Sequence, residues 1–384
     1  MKKLLIVTDA WSPQVNGVVT VFEKMLPLLR EKGFEVTVVH PGLFKTVPFF
    51  LYPEIPLAPF PRSRMEAIFD AEKPTYVHIA TEWMLGITAR ALCVERGIPF
   101  TTSFHTNFNR YVSYYLNMTQ ENSAAFAYGY MRWFHNASAV TMVSTPTLQT
   151  ELQANGFKKV VVWPLGIDTN FFTRNGNYAS EEMKCPIFVY CGRVAKEKNI
   201  EEFLRLKLPG TKLVIGDGPE RKKLQKRYGH ETRFVGYKRG QELVDWLSAC
   251  DVCVFPSLTE TFGLAMVEAL ACGIPVAAHN VMGPKDIITN GVDGFLDEDL
   301  GRAALRCLDL SKEKCREKAL MFSKEHSADM FIQTIEEVAQ MTKGSAPIPV
   351  ADAFEDESWA RQAEALLERP VSFLKKLTKS RLKK

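Results

Sequence analysis

Two glutamates separated by seven residues, Glu260 and Glu268, stand in SLTETFGLAMVEAL, directly after the apolar run VCVFPS. A helix starting near Gly263 leaves Glu260 in the preceding loop and carries Glu268 about one and a half turns inside, so both carboxylates can face one ligand across the helix start. Carboxylates accept hydrogen bonds from hydroxyls, which suits such a pair to a sugar and a ribose. Gly263 permits close approach, and the N–H groups of Phe262, Gly263 and Leu264 would point at the same ligand. The plainer alternative is one glutamate favoured by the helix dipole and a second that is merely exposed. A cationic pair, Arg193 and Lys198, lies in CGRVAKEKN after another apolar run. Arginine offers phosphate oxygens a fixed fork and lysine a mobile point charge, and together they can neutralise charge developing on a leaving group. A solvated basic loop is the alternative.

Weaker signals accompany these. The turn Gly216-Asp217-Gly218-Pro219 is explained by turn chemistry alone. Gly17, in WSPQVNGVV, precedes a helix expected to carry Phe22, Leu26 and Leu29 inward; it would let the backbone approach an anion, or form an ordinary turn. His105, in SFHTNF, sits at a strand end, although a lone histidine is more often structural. Cys250 and Cys253 have C-x-x-C spacing, but no second ligand pair follows, so neither zinc nor redox chemistry is expected of them.

These residues need elements to hold them. Short β-branched runs alternate with helical stretches at 4–9, 35–40, 76–80, 98–105, 139–144 and 160–168, and the pattern restarts at 186–193, 212–218, 232–237, 252–257 and 274–280. Near-continuous apolar runs suit parallel strands buried on both faces, so two βαβ sheets in series are expected. The polar stretch Arg174-Asn175-Gly176-Asn177 is the natural linker. The candidates above then fall beyond the carboxyl ends of strands, where open parallel sheets bind ligands. After about residue 342 the composition changes to KGSAPIPVADAF, an acidic helical stretch near 355–369, Pro370 and a basic tail.

Bulk properties exclude several classes. A chain of 384 residues with 46% hydrophobic content can bury two cores. No run approaches the roughly 18 apolar residues of a membrane span, and MKKLLIVTD turns acidic before a secretory segment forms. Eight scattered cysteines then fit a reduced, cytoplasmic protein. Neither G-x-G-x-x-G nor G-x-x-x-x-G-K-[ST] occurs, which removes the main support for dinucleotide oxidoreductases and P-loop NTPases. The net charge of +4 is concentrated in VSFLKKLTKSRLKK, which carries six positive charges, and removing it leaves −2. A nucleic-acid footprint would spread over a folded face instead, so no nucleic-acid partner is expected.

Taken as a set, TETFGLAMVE, GRVAKEKN, the Asn-Gly-Val turn at 16–18 and GIPVAAHNVMGPKDIITNGVDGFL resemble the glycosyltransferases of the two-domain GT-B fold, and within them the large retaining family 4. The likeness covers about residues 1–340. It implies an α/β architecture of two Rossmann-like domains whose parallel sheets face each other across a cleft holding the active site: an acceptor-side domain over 1–173, a nucleotide-sugar domain over 174–324 and a helix over 325–342 crossing back to the first domain; the linker, acidic helix and helical, basic amphipathic tail expected over 343–384 come from composition alone. It also implies that Arg193 and Lys198 grip the donor diphosphate with help from the Gly17 backbone, that Glu260 holds donor-sugar hydroxyls and Glu268 the ribose, and that the N–H groups of Phe262, Gly263 and Leu264 complete the cradle. His105 matches a histidine that in relatives lies beside donor sugar and acceptor. Arg193, Lys198, Glu260 and His105 are thus the expected catalytic residues. The family's chemistry retains the anomeric configuration and uses no divalent metal, so neither metal nor cofactor is expected beyond the donor itself.

FHTNF followed by RYVSYYLNM resembles the branch containing lipid mannosyltransferases and the glucosyl-, glucuronosyl- and sulfoquinovosyl-diacylglycerol synthases. The short second domain leans toward the UDP-sugar group, with transfer to diacylglycerol or a glycolipid. A GDP-mannose-dependent mannosyltransferase and a non-catalytic sugar-nucleotide-binding protein are the rivals, but the latter would be expected to have lost part of the cationic or the glutamate pair. In the tail, Val371, Phe373, Leu374, Leu377 and Leu382 share one half of a helical wheel, with Lys375, Lys376, Lys379 and Lys383 opposite. That basic amphipathic pattern, with the aromatic-rich segments near 44–60 and 104–134, points to peripheral docking on the anionic cytoplasmic membrane face, against a bland solvated terminus.

Overall fold

The computed structural model describes residues 2–14, 17–48, 56–105, 120–175 and 183–341, with no side-chain description for 120–127. The acidic stretch, the basic tail and parts of both aromatic-rich segments lie outside them. Contacts divide the chain into two units: Met1–Ser144, Gln149–Trp163 and Ala328–Lys384 in the first, Thr145–Leu148 and Pro164–Ser327 in the second.

In the first unit the strands are β1 (Lys2–Val7), β2 (Phe34–Val39), a small antiparallel pair β3 (Val47–Pro48) and β4 (Pro56–Leu57), then β5 (Tyr76–Ile79), β6 (Thr101–Phe104), β7 (Val140–Val143) and β8 (Val160–Val162). The main sheet is parallel in the order β2-β1-β5-β6-β7-β8. Leu4 to Val7 are all buried, as a central strand covered on both faces requires. Helix Gly17–Glu31 packs Phe22, Leu26 and Leu29 inward, together with Val21 and Met25. Between β1 and β5, where the strand order reverses, buried Asp9 accepts hydrogen bonds from Thr81 Oγ1 (2.8 Å) and from the N–H groups of Leu85 (2.9 Å) and Gly86 (3.3 Å). The carboxylate thereby satisfies orphan donors at the start of helix Met84–Glu95.

The second unit repeats the plan with β9 (Ile187–Cys191), β10 (Thr211–Ile215), β11 (Thr232–Gly236), β12 (Val252–Phe255), β13 (Val276–Ala278) and β14 (Gly294–Leu296), parallel in the order β11-β10-β9-β12-β13-β14. Its core gathers Phe188, Tyr190, Val214, Val252, Val254 and Leu300. Every strand expected from the sequence is present. The three-residue β14 and the β3–β4 pair were not foreseen.

The division between the units departs from the expected boundary after residue 173. The strand expected over 160–168 stops at Val162, because Pro164 has no N–H to continue the ladder. Residues 164–173 then join the second unit: Ile167 N–H donates to Phe322 O (3.0 Å), Lys324 N–H donates to Ile167 O (2.8 Å), and Lys324 Nζ meets Asp168 Oδ2 at 2.5 Å. The last helix, Lys324–Met341, groups with the first unit from Ala328 onward. There Phe331 packs on Trp163 and His78, with ring centroids 5.2 and 4.9 Å apart, and Glu336 pairs with Lys2 at 2.6 Å.

Candidate functional site

In the second unit the expected residues converge on the carboxyl ends of β9 and β12, the neighbouring strands between which the chain order reverses. Lys198 closes the 3-10 turn Lys196–Lys198, and its Nζ lies 2.6 Å from Glu260 Oε2. The turn is fixed by Asn199, which takes the left-handed conformation at φ +51°, one that asparagine tolerates better than most residues. Its side-chain amide donates to Pro256 O (3.2 Å) at the end of β12 and to Glu202, and Glu202 in turn faces His279 Nε2 at 3.0 Å. Arg193 is exposed and, among the described residues, forms no ion pair. Its own carbonyl accepts from Tyr190 Oη at 2.7 Å, which fixes the backbone from which the guanidinium projects.

Gly263 precedes helix Leu264–Ala271 at φ +100°, a conformation glycine supplies without strain. Phe262 is buried against Phe322, centroids 5.6 Å apart, so only its backbone can face a ligand. Glu268 is half-buried one turn into the helix. Burial pushes the Cys191 thiol well above its ordinary value and the charge of Glu268 adds to that push. The Glu260 carboxylate, from the loop after β12, addresses the same strand end as the cationic loop. Beneath the Glu260 loop lies Gly283, at φ +87°, where an added Cβ would stand 3.0 Å from Phe262 O and 3.1 Å from Glu260 O. Asp286 holds that support in place, accepting from Gly283 N–H (3.2 Å) and Thr147 N–H (2.9 Å). A hollow of about 570 Å³, lined by Leu258 and residues 279–281 and 296–298, opens at the ends of β12, β13 and β14.

The glycine turn after β10 has a larger part than turn chemistry. A Cβ on Gly216 would lie 1.8 Å from Gly192 O, and one on Gly218 would lie 2.4 Å from Val194 O. Gly192 N–H donates to Ile215 O (2.9 Å) and Val194 N–H to Asp217 O (2.9 Å), so the two loops interlock and Arg193 is held between them. Gly283, Asn199 and this interlock were missed in the sequence; the G-D-G and G-P-K-D spacings carried a signal for two of them.

Two expected residues lie in the first unit. Gly17 opens its helix, while Asn16 and the stretch 106–110 fall outside the described residues. His105 follows β6 and its Nε2 lies 2.7 Å from Ser103 Oγ. Burial holds its imidazole down to about 4, with a smaller contribution from His135, so it is neutral at pH 7. Cys250 and Cys253 are buried free thiols that burial pushes upward. Among the described residues, no three His, Cys, Asp or Glu side chains converge as metal ligands would, and no helix is long and apolar enough to cross a membrane.

Residues 177–306 match the family described as glycosyl transferases group 1, and residues 15–171 match Glycosyltransferase Family 4. A GDP-mannose-dependent alpha-mannosyltransferase of Mycobacterium tuberculosis is 29% identical over 77% of this chain and 83% of its own. The sulfoquinovosyl transferase of Arabidopsis thaliana is 29% identical over 73% of this chain and 61% of its own, and an alpha-monoglucosyldiacylglycerol synthase of Streptococcus pneumoniae is 24% identical over 83% and 82%. Among solved structures, a sucrose-phosphate synthase of Thermosynechococcus elongatus superposes with a TM-score of 0.72 at 19% identity, covering 89% of this chain and all of that one. Anabaena HepE in complex with UDP and glucose superposes at 0.61 and 16% identity, covering 88% of this chain and all of its own.

Proposed function

The chain belongs to the family 4 glycosyltransferases of GT-B fold, and we propose that within that family it moves a hexose from a UDP-linked donor to a membrane lipid, diacylglycerol or a glycolipid, with retention and without a metal ion. The observation that carries this reading is the Lys198–Glu260 pair at 2.6 Å, set beside Arg193 and the glycine-started helix. In the transfer, the donor diphosphate takes the charges of Arg193 and Lys198 together with the N–H groups of Phe262, Gly263 and Leu264. These groups are in place before the bond breaks, so negative charge developing on the leaving phosphate meets preorganised donors. Glu260 then accepts from the sugar hydroxyls and Glu268 from the ribose, which fixes the anomeric carbon for attack. In a front-face displacement the departing phosphate oxygen receives the acceptor's proton, and no side chain has to serve as the base.

A lipid acceptor is supported by the sulfoquinovosyl transferase and alpha-monoglucosyldiacylglycerol synthase similarities and by the amphipathic basic tail, which would hold the enzyme on the cytoplasmic membrane face. The alpha-mannosyltransferase similarities favour a second reading, GDP-mannose as donor. Configuration and acceptor class are tested together by NMR of the purified product: the α-linked glycolipid made from an α-linked donor is expected, and a β-linked product would overturn the retaining assignment.

A further inference from the structure

The loop that carries Lys198 is tied to its neighbours through one carboxylate. Asn199 directly follows Lys198, and its side-chain Nδ2 reaches Pro256 O at 3.2 Å and also Glu202 Oε2. His279, in the turn after β13 and only 9% exposed, places its Nε2 3.0 Å from both Glu202 oxygens. Glu202 stands in the first turn of helix Ile200–Arg205, where its N–H donates to Asn199 O at 3.1 Å. The carboxylate therefore links the segment after β9 to the end of β12 through Asn199 and to the end of β13 through His279.

A carbonyl and a carboxylate can only accept, so the Asn199 amide presents its nitrogen to both, and its two N–H protons match the two acceptors. Turning the amide over would set its oxygen against theirs. The His279 Nε2 carries a proton toward the same carboxylate, and a hydrogen bond to a charged acceptor is among the stronger kinds. Pro256 stands four residues before Glu260, and Asn199 one residue after Lys198. The amide thus sets the spacing of two loops whose side chains meet at 2.6 Å. A further contact between these loops, Thr259 Oγ1 to Glu197 O, is long at 3.5 Å and too weak to replace it.

We infer that Glu202 and His279 are positioning residues for the donor: His279 holds the Glu202 carboxylate, which holds the Asn199 amide on the end of β12 and so aims Lys198 at the diphosphate. Neither residue has to touch the donor. The last step rests on the donor reading proposed above.

The test uses His279→Leu, His279→Gln, whose amide keeps an N–H to offer Glu202, and Asn199→Gly, which keeps the left-handed backbone and loses the amide. Hydrogen exchange reads the loop without substrate. The N–H groups of Lys198 and Asn199, bonded to Ala195 O and Lys196 O at 3.1 Å each, should exchange roughly tenfold faster in His279→Leu and Asn199→Gly, the order one hydrogen bond supplies. His279→Gln should exchange as the wild type does, and the β9 amides should be unchanged throughout. Calorimetry with UDP and with GDP reads the donor site: the nucleotide that binds the wild type should bind roughly tenfold more weakly in His279→Leu and Asn199→Gly and almost normally in His279→Gln. Adding His279→Leu to Asn199→Gly should cost nothing more, because both act through one amide. Wild-type exchange and affinity in His279→Leu, an equal loss in His279→Gln, or additive losses in the double variant would overturn the inference. The expected exchange pattern in a chain that binds neither nucleotide would uphold the tie between the loops and refute the donor reading.

Discussion

Lys198 Nζ and Glu260 Oε2 lie 2.6 Å apart, joining the loop after β9 to the loop after β12. The pair is partly buried, with side-chain exposures of 28% and 16%. In the proposed transfer this pair supplies a cation for phosphate and a carboxylate for hydroxyls at adjoining strand ends.

Replacing Glu260 by Gln or Arg193 by Ala should lower turnover by about 10²–10³ while the fold survives, because each removes one contact to the donor and no core packing. Circular dichroism and steady-state kinetics on both variants check this. Near-wild-type turnover in either one would reject the site assignment.

Chelation by EDTA should leave activity in place, since Arg193, Lys198 and the helix N–H groups are expected to meet the leaving diphosphate. A requirement that added Mg²⁺ restores would sink this mechanism.

Gly216→Ala should damage the donor site from behind. Its Cβ would collide with Gly192 O at 1.8 Å, which the interlocked loops can relieve only by shifting Arg193. A stability loss of about 1–3 kcal/mol in urea unfolding and weaker UDP binding by calorimetry are expected. Wild-type affinity for UDP in this variant would show that the interlock does not shape the donor site.

Acid should destabilise the fold partly through His105. Its folded-state value is lowered to about 4 from an ordinary value of about 6.5, so between these limits the unfolded chain binds a proton that the folded chain does not. The neutral ring's advantage is complete above about 6.5 and is lost as pH falls toward 4. Urea unfolding at pH 7 and pH 5 should therefore show a smaller loss for His105→Gln than for the wild type. Equal losses would mean that the ring is not held neutral.

The basic tail should carry membrane attachment. Each Lys or Arg near an anionic leaflet contributes about 1 kcal/mol, so six supply up to roughly 6 before ordering and salt reduce the figure. In liposome sedimentation the full chain should pellet with anionic vesicles at low salt and release at high salt, and a chain ending at Arg369 should bind less. Equal binding by the truncated chain would remove the tail from this role.

Much of this was legible because strand cores and helix faces leave periodic apolar traces. The runs at 4–9 and 252–257 became β1 and β12, and Phe22, Leu26 and Leu29 are buried as their spacing demands. Lys198 and Glu260 stood out because chemistry restricts their residue types, and the fold brings them within 2.6 Å of each other. What escaped was tertiary. Gly294 opens a strand of only three residues, too short for a period, and its Cβ would stand 2.2 Å from Val276 O, a constraint visible only once β13 is beside it. His78 reads as one polar residue within YVHIA, and its partners Thr101 and Ser103 are 23 and 25 positions away. The boundary at Trp163 was hidden because residues 164–173 take their hydrogen bonds from around 316–324, far along the chain.

The most direct measurement is incubation of the purified full chain with a panel of UDP- and GDP-sugars and membrane lipid, followed by mass spectrometry of the lipid fraction. The account predicts a lipid heavier by one hexose with a UDP-sugar, formed in the presence of EDTA and lost in Glu260→Gln. Product from GDP-mannose alone would overturn the donor assignment, and an unaltered lipid fraction with every donor would contradict the account at its centre.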